Sequence, residues 1–202
     1  MPRTLIIACG ALAREIVALR KLNDWPHMDV QCLPAELHNR PEKIPAAVRA
    51  KIQANRDHYA SIFVAYGDCG TGGLLDAVLQ EEQVERIPGA HCYEFFAGSA
   101  AFEALSEQEL GTFYLTDFLL EHFDRLVIQG LGLDRHPSLL ATLFGNYRKL
   151  VYLAQLPDSQ RLADARAAAE RLGLEFDYLV TGYGGLAHSL KVANQGKMVW
   201  QS

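Results

Sequence analysis

Short apolar runs of strand length alternate along this chain with stretches of helical periodicity. The runs occupy residues 5–8, 29–33, 62–66, 84–87, 150–154 and 174–180. Between them, residues 11–22 place Leu12, Ile16 and Leu19 on one helical face, and residues 70–82 group Leu74, Leu75, Val78 and Leu79. Residues 159–172 are rich in Ala and Arg, follow Pro157-Asp158 and stop at Gly173, so both ends of a helix are marked. Residues 39–45, with two prolines, read as a loop before a helix over 46–56, and Cys92 opens a helix that reaches 102. Residues 111–117 are either a short strand or an extended loop, with Thr116 or Asp117 capping a helix over 118–123. Strands alternating with helices of this length predict βαβ units. The expected fold is a single α/β domain over 1–202, with a mostly parallel, Rossmann-like sheet and helices on both faces.

Gly-rich turns follow a strand both at residues 67–73 and at 181–185. They would suit two pseudo-repeated lobes around a cleft, but such turns recur without duplication, and coincidence is the preferred reading. The chain has 202 residues, 50% apolar and 21% charged, as an ordinary globular protein has. A net charge of −5 without a basic cluster argues against nucleic acid as a partner. No apolar stretch reaches the roughly 20 residues of a membrane span, and the N-terminal run is too short for a secretory signal. The expected location is cytoplasmic. In a reducing compartment, four cysteines are buried, catalytic or metal-bound rather than a disulfide framework.

Three of those cysteines follow predicted strands: Cys9, Cys69 and Cys92. In a parallel sheet all three lie at the carboxyl edge, where open α/β sheets bind ligands. A thiol just ahead of a helix is favoured as thiolate by the dipole and the unpaired amides. Three converging thiolates repel unless a cation neutralises them, which makes zinc, or another thiolate-bound transition metal, the expected cofactor on Cys9, Cys69 and Cys92. Its open position would take a small-molecule substrate, for thiol activation in methyl transfer or for hydrolysis by metal-bound water. His91 is the candidate that orients a bound group or moves a proton, and Glu15 and Glu94 are candidate acids or bases. Gly67, Asp68, Gly70 and Thr71 form a candidate cofactor or anion cradle. That segment is neither GxGxxG nor a P-loop, so no nucleotide cofactor is supported. Cys32 reads as core. Two rivals stand beside the metal enzyme. One is metal-free acid/base chemistry by Cys9 and Cys69, as in two-thiol racemases. The other is a non-catalytic accessory protein that carries a metal or cofactor.

Several segments together resemble a known family. Ala8-Cys9-Gly10-Ala11-Leu12, Tyr66-Gly67-Asp68-Cys69-Gly70, Arg86-Ile87-Pro88-Gly89-Ala90-His91-Cys92-Tyr93, residues 111–117 and Leu131-Gly132-Leu133-Asp134 are similar to the uncharacterised prokaryotic domain-of-unknown-function family 1638. The resemblance implies no established activity. It does imply an association with corrinoid-dependent methyl-transfer systems, and so a methyltransferase-system protein as partner. The residues themselves say nothing about corrinoid.

Overall fold

The computed structural model describes residues 2–194. Its strands are all parallel, and they fall into two sheets with helices against them. The α/β class with parallel strands is thus what the sequence pattern predicts, whereas the pattern does not contain the division into two sheets. The described residues form two compact units, one taking those up to Cys92 together with the stretch from Gly185 onward, the other Tyr93–Gly184.

In the first unit, β1 (Thr4–Cys9) is buried along its whole length, as a central parallel strand covered on both faces must be. The chain continues through α1 (Ala13–Leu22), β2 (Met28–Leu33), α2 (Ile44–Asn55), β3 (Ser61–Ala65), α3 (Leu74–Glu82) and the two-residue β4 (Glu85–Arg86). The sheet order is β2-β1-β3-β4. Connections therefore leave β1 toward β2 on one side, and from β2 the chain crosses to β3 on the other. Right-handed crossovers place α1 on one face and α2 and α3 on the other. There Arg49 of α2 pairs with Glu81 of α3 at 2.5 Å, and Arg56, just past the end of α2, pairs with Glu82 at 2.6 Å. The core between the layers holds Leu5, Ile6, Ile7, Ile16, Val48, Ile52, Val64 and Leu75.

The helix predicted over 70–82 starts only at Leu74. Cys69, Gly70, Gly72 and Gly73 all have positive φ, so this stretch is turn rather than helix despite its apolar spacing. The helix predicted from Cys92 through 102 is broken at Gly98 (φ 80°) into α4 (Cys92–Ala97) and α5 (Ser99–Gln108).

The second unit carries β5 (Thr112–Thr116), α6 (Asp117–Glu121), α7 (Leu139–Phe144), β6 (Lys149–Ala154), α8 (Ser159–Leu172) and β7 (Glu175–Val180) in the order β5-β6-β7. Residues 111–117 thus resolve as a strand whose Thr116 caps α6, its hydroxyl accepting from the Leu119 amide. Along β6, Leu150, Tyr152 and Ala154 face one core with Ala165, Ala169 and Leu172 of α8, while Val151 and Leu153 face a second core with Phe102 and Leu105 of α5. At the carboxyl edge of this sheet the buried Asp117 carboxylate accepts from the Tyr152 hydroxyl (2.7 Å) and the amides of Gln155 (3.0 Å) and Leu156 (2.9 Å). It joins the turn after β5 to the loop after β6. The last helix, α9 (Gly184–Asn194), opens at a glycine. Among the described residues no helix is long and apolar enough to cross a membrane.

Candidate functional site

Every strand of the first sheet delivers a candidate group at its carboxyl end. β1 ends on Cys9 itself. The loop after β3 carries Tyr66 and Cys69, and the loop after β4 carries His91 and Cys92. After β2 a short 3-10 segment, Ala35–Asn39, carries His38. β1 and β3 are neighbours, with Ala8 level with Ala65, and they flank the point where the sheet's connections part in opposite directions. The carboxyl side of that point is where ligands bind in open α/β sheets.

Local sequence brings the loops after β3 and β4 together. The ladder between these strands continues past their ends: Ile87 donates to the Val64 carbonyl (3.0 Å), Asp68 to that of Gly89 (3.1 Å) and Cys69 to that of Ala90 (2.8 Å). Gly67 makes the approach possible, because a Cβ there would lie 2.9–3.0 Å from the His91 main chain. The chain then turns through left-handed backbone at Cys69 (φ 50°) and Gly70 (φ 83°). A left-handed residue with a side chain costs about 1–2 kcal/mol, a strain that clusters where geometry matters. The outcome is a Cys69–Cys92 sulfur–sulfur distance of 3.3 Å between two free thiols.

The two sulfurs are not equivalent. The Cys92 thiol donates to Cys69, and this contact is the largest influence lowering the Cys69 pKa. Burial opposes it, while His91, the Cys92 amide and His38 add to the lowering, and the value falls to about 5 from an ordinary 9.0. Cys92 moves the other way, held protonated by its bond to Cys69 and by burial. Part of Cys92 remains at the surface while its sulfur is enclosed. Cys9 is buried, and burial pushes its thiol up to about 11, so it stays protonated. Beside it the Tyr66 hydroxyl is buried without a well-formed hydrogen bond. Burial, followed by the neighbouring Cys9 and Cys92, raises its pKa and keeps the phenol neutral. Enclosure of the His38 ring lowers its pKa, although the residue as a whole keeps solvent contact.

The other sequence candidates lie as follows. The Asp68 carboxylate accepts from the Thr71 hydroxyl (2.6 Å) and the amides of Gly72 (3.1 Å) and Gly73 (2.9 Å). Burial works against its ionisation, but these bonds hold its pKa below the usual carboxylate value. The amides of Gly72 and Gly73 that an anion would use are therefore taken by the chain's own carboxylate, and Gly67, Asp68, Gly70 and Thr71 shape the turn that presents Cys69. Glu15 is buried on α1. Glu94 lies on α4 in the second unit, where it accepts from the Ser99 hydroxyl at 2.6 Å. Cys32 is half-buried on β2, and burial raises its pKa. The sequence singles out neither His38 nor Tyr66 as a site residue. The signal for His38 was the one used for the cysteines, its position just beyond a strand end, but residues 39–45 drew attention as a loop and 34–38 drew none.

Cys69 and Cys92 supply two adjacent soft ligands, and Cys9 stands at the neighbouring strand end. Among the described residues, however, no set of three or more Cys, His, Asp or Glu has an arrangement that could hold an ion. The geometry presents one close pair of free thiols, Cys69 and Cys92, and a third, Cys9, at the neighbouring strand end.

No curated protein matches the sequence. A family model for a protein of unknown function, DUF1638, matches residues 32–190, a stretch that includes His38, Tyr66, Cys69, His91 and Cys92 and that Cys9 precedes. The chain belongs to the DUF1638 family.

Proposed function

We propose that the chain is an enzyme that moves a proton at a carbon of a small molecule, with Cys69 as base and Cys9 as acid. The observation that carries this reading is their position at the ends of adjacent strands, on either side of the β1/β3 switch point. Its electrostatic support is that the two environments displace the thiols oppositely, Cys69 to about 5 and Cys9 to about 11, so that at neutral pH one is a thiolate and the other a thiol. Oppositely displaced pairs mark acid and base assignments. The Cys69 thiolate takes a proton from a carbon made acidic by an adjacent carbonyl or carboxylate. The bonding pair moves into that group, and the Cys9 S–H returns a proton to the carbon from its own side. Cys69 ends as thiol and Cys9 as thiolate, and solvent restores them. Cys92 and His91 hold the Cys69 thiolate by hydrogen bonds, and the neutral Tyr66 phenol can donate to oxygen as its negative charge develops.

The test is solvent-deuterium incorporation into a panel of small 2-substituted carboxylic acids and ketones, read by NMR. Loss of exchange in Cys69→Ala, together with loss of stereochemical inversion of chiral acids in Cys9→Ala, supports the assignment; wild-type exchange in Cys69→Ala or inversion that survives in Cys9→Ala refutes it. The rate should rise as pH passes about 5, where Cys69 loses its proton, and fall as pH passes about 11, where Cys9 loses its own.

A second reading has its own observation. All three thiols stand at or after strand ends along one sheet edge, and a thiophilic ion such as zinc on Cys9, Cys69 and Cys92 would require their side chains to converge from that arrangement. Such an ion would supply Lewis acidity, for thiol activation toward methyl transfer or for hydrolysis of a small molecule. In that reading Cys69→Ser lowers metal content while Cys32→Ser does not, and His91→Ala keeps the ion but loses activity. Tight metal binding with no turnover across the panel would instead point to an accessory carrier, the role in which a methyltransferase-system partner belongs.

A further inference from the structure

We infer that Cys69 and Cys92 form a dithiol that small disulfides convert reversibly into an intramolecular disulfide. The inference concerns bond formation between these sulfurs and does not depend on the proton-transfer reading. Both residues are free thiols with their sulfurs 3.3 Å apart, about 1.3 Å beyond the disulfide length of about 2.05 Å. The main chain holds the pair in register. Cys69 is tied to the loop of Cys92 through the Ala90 carbonyl, and Gly67 seats that loop against the His91 backbone. The Cys92 residue keeps part of its surface exposed although its sulfur is enclosed, so a reagent reaches the pair on that side as the side chains move. Cys9 has no comparable sulfur contact among the described hydrogen bonds, and Cys32 lies on β2 level with Ala8. The pair is therefore selected over the other combinations of the four cysteines.

The chemistry is two successive exchanges. The thiolate of the pair attacks one sulfur of a small disulfide, RSSR, whose S–S bond breaks and releases RS⁻. That RS⁻ takes the proton of the second thiol. The resulting thiolate attacks the protein-bound sulfur, forming the Cys69–Cys92 bond and releasing the other RS⁻. The protein dithiol is oxidised by two electrons, and RSSR is reduced to two thiols. Formation of the bond removes the Cys69 thiolate from the site, and a reducing thiol restores it.

The experiment incubates the purified chain, with and without prior EDTA, in oxidised glutathione. Free thiols are then counted under denaturing conditions and the bridge is mapped by peptide mass spectrometry. Loss of two of the four thiols, with the bridge between Cys69 and Cys92 and recovery on adding dithiothreitol, is the expected result. Cys9→Ala and Cys32→Ala should form the same bridge. Cys69→Ala and Cys92→Ala should instead stop at a mixed disulfide with glutathione on the remaining partner. Retention of all four thiols, or a bridge that maps to Cys9 or Cys32, would overturn the inference.

Discussion

Two donors, Cys92 and His91, reach the sulfur of Cys69, a residue held in left-handed backbone. Without the Cys92 donor, burial would work to raise the Cys69 pKa instead of being outweighed. Cys92→Ala should therefore move the Cys69 titration from about 5 toward the ordinary thiol value, as read by ultraviolet thiolate absorbance against pH. His91→Ala should move it the same way by less. An unchanged titration in Cys92→Ala would remove the assigned cause. The same shift has a consequence for stability. A folded-state pKa below the unfolded value of 9.0 means that folding releases a proton, so its contribution is complete above pH 9 and is lost as pH falls toward 5. Cys9 is displaced upward, and its contribution is present below pH 9 and lost as pH rises toward 11. Urea midpoints of the wild type between pH 5 and 9 should accordingly rise more steeply than those of Cys69→Ala. Equal slopes would show that Cys69 is not ionised differently in the two states. Of the residues gathered at this edge, the three cysteines are legible in the sequence because each follows an apolar run. The Cys69–Cys92 contact was not, since it depends on a left-handed turn and a ladder that outlasts its strands.

At the scale of elements, glycines and one carboxylate decide whether the loops stay where the site needs them. Gly67→Ala would force a Cβ against the His91 main chain, which cannot yield as a flexible side chain would. The expected cost is about 1–3 kcal/mol in chemical denaturation, with a rise in the Cys69 pKa as the two loops separate. A variant as stable as wild type would show that the close approach is unimportant. Asp68→Ala removes the acceptor for Thr71, Gly72 and Gly73 and should cost about 0.5–2 kcal/mol, by analogy with loss of a helix cap. In the second unit, Gly184→Ala would place a Cβ 2.0 Å from the Phe96 carbonyl oxygen, and should destabilise by more than about 3 kcal/mol. Strand positions agree with the apolar runs to within a residue or two, β4 (Glu85–Arg86) being the shortest, even though only β1 among the described strands is buried throughout and β7 is mostly exposed. Helix starts were read less well. The spacing of Leu74, Leu75, Val78 and Leu79 predicts which face is buried but not that the preceding glycines adopt positive φ, and Gly98 breaks a helix that periodicity alone carries through.

For the whole molecule, the alternation of strand and helix specified a parallel α/β architecture, but strand order lies in the crossovers and not in the periodicity. The pattern therefore could not reveal that the strands divide into β2-β1-β3-β4 and β5-β6-β7. That division matters for function, because the carboxyl edges of the two sheets are built differently. The second is closed by Asp117, whose bonds to Tyr152, Gln155 and Leu156 are all internal. The first gathers three thiols, two imidazoles and a phenol around a switch point. The central claim is that these thiols work as acid and base rather than as a metal cage. Elemental analysis of protein purified anaerobically, with Cys69→Ser and Cys32→Ser beside the wild type, tests it most directly. The account predicts metal well below one ion per chain in all three. Zinc or another transition metal at one ion per chain in wild type and Cys32→Ser, lost in Cys69→Ser, would contradict it.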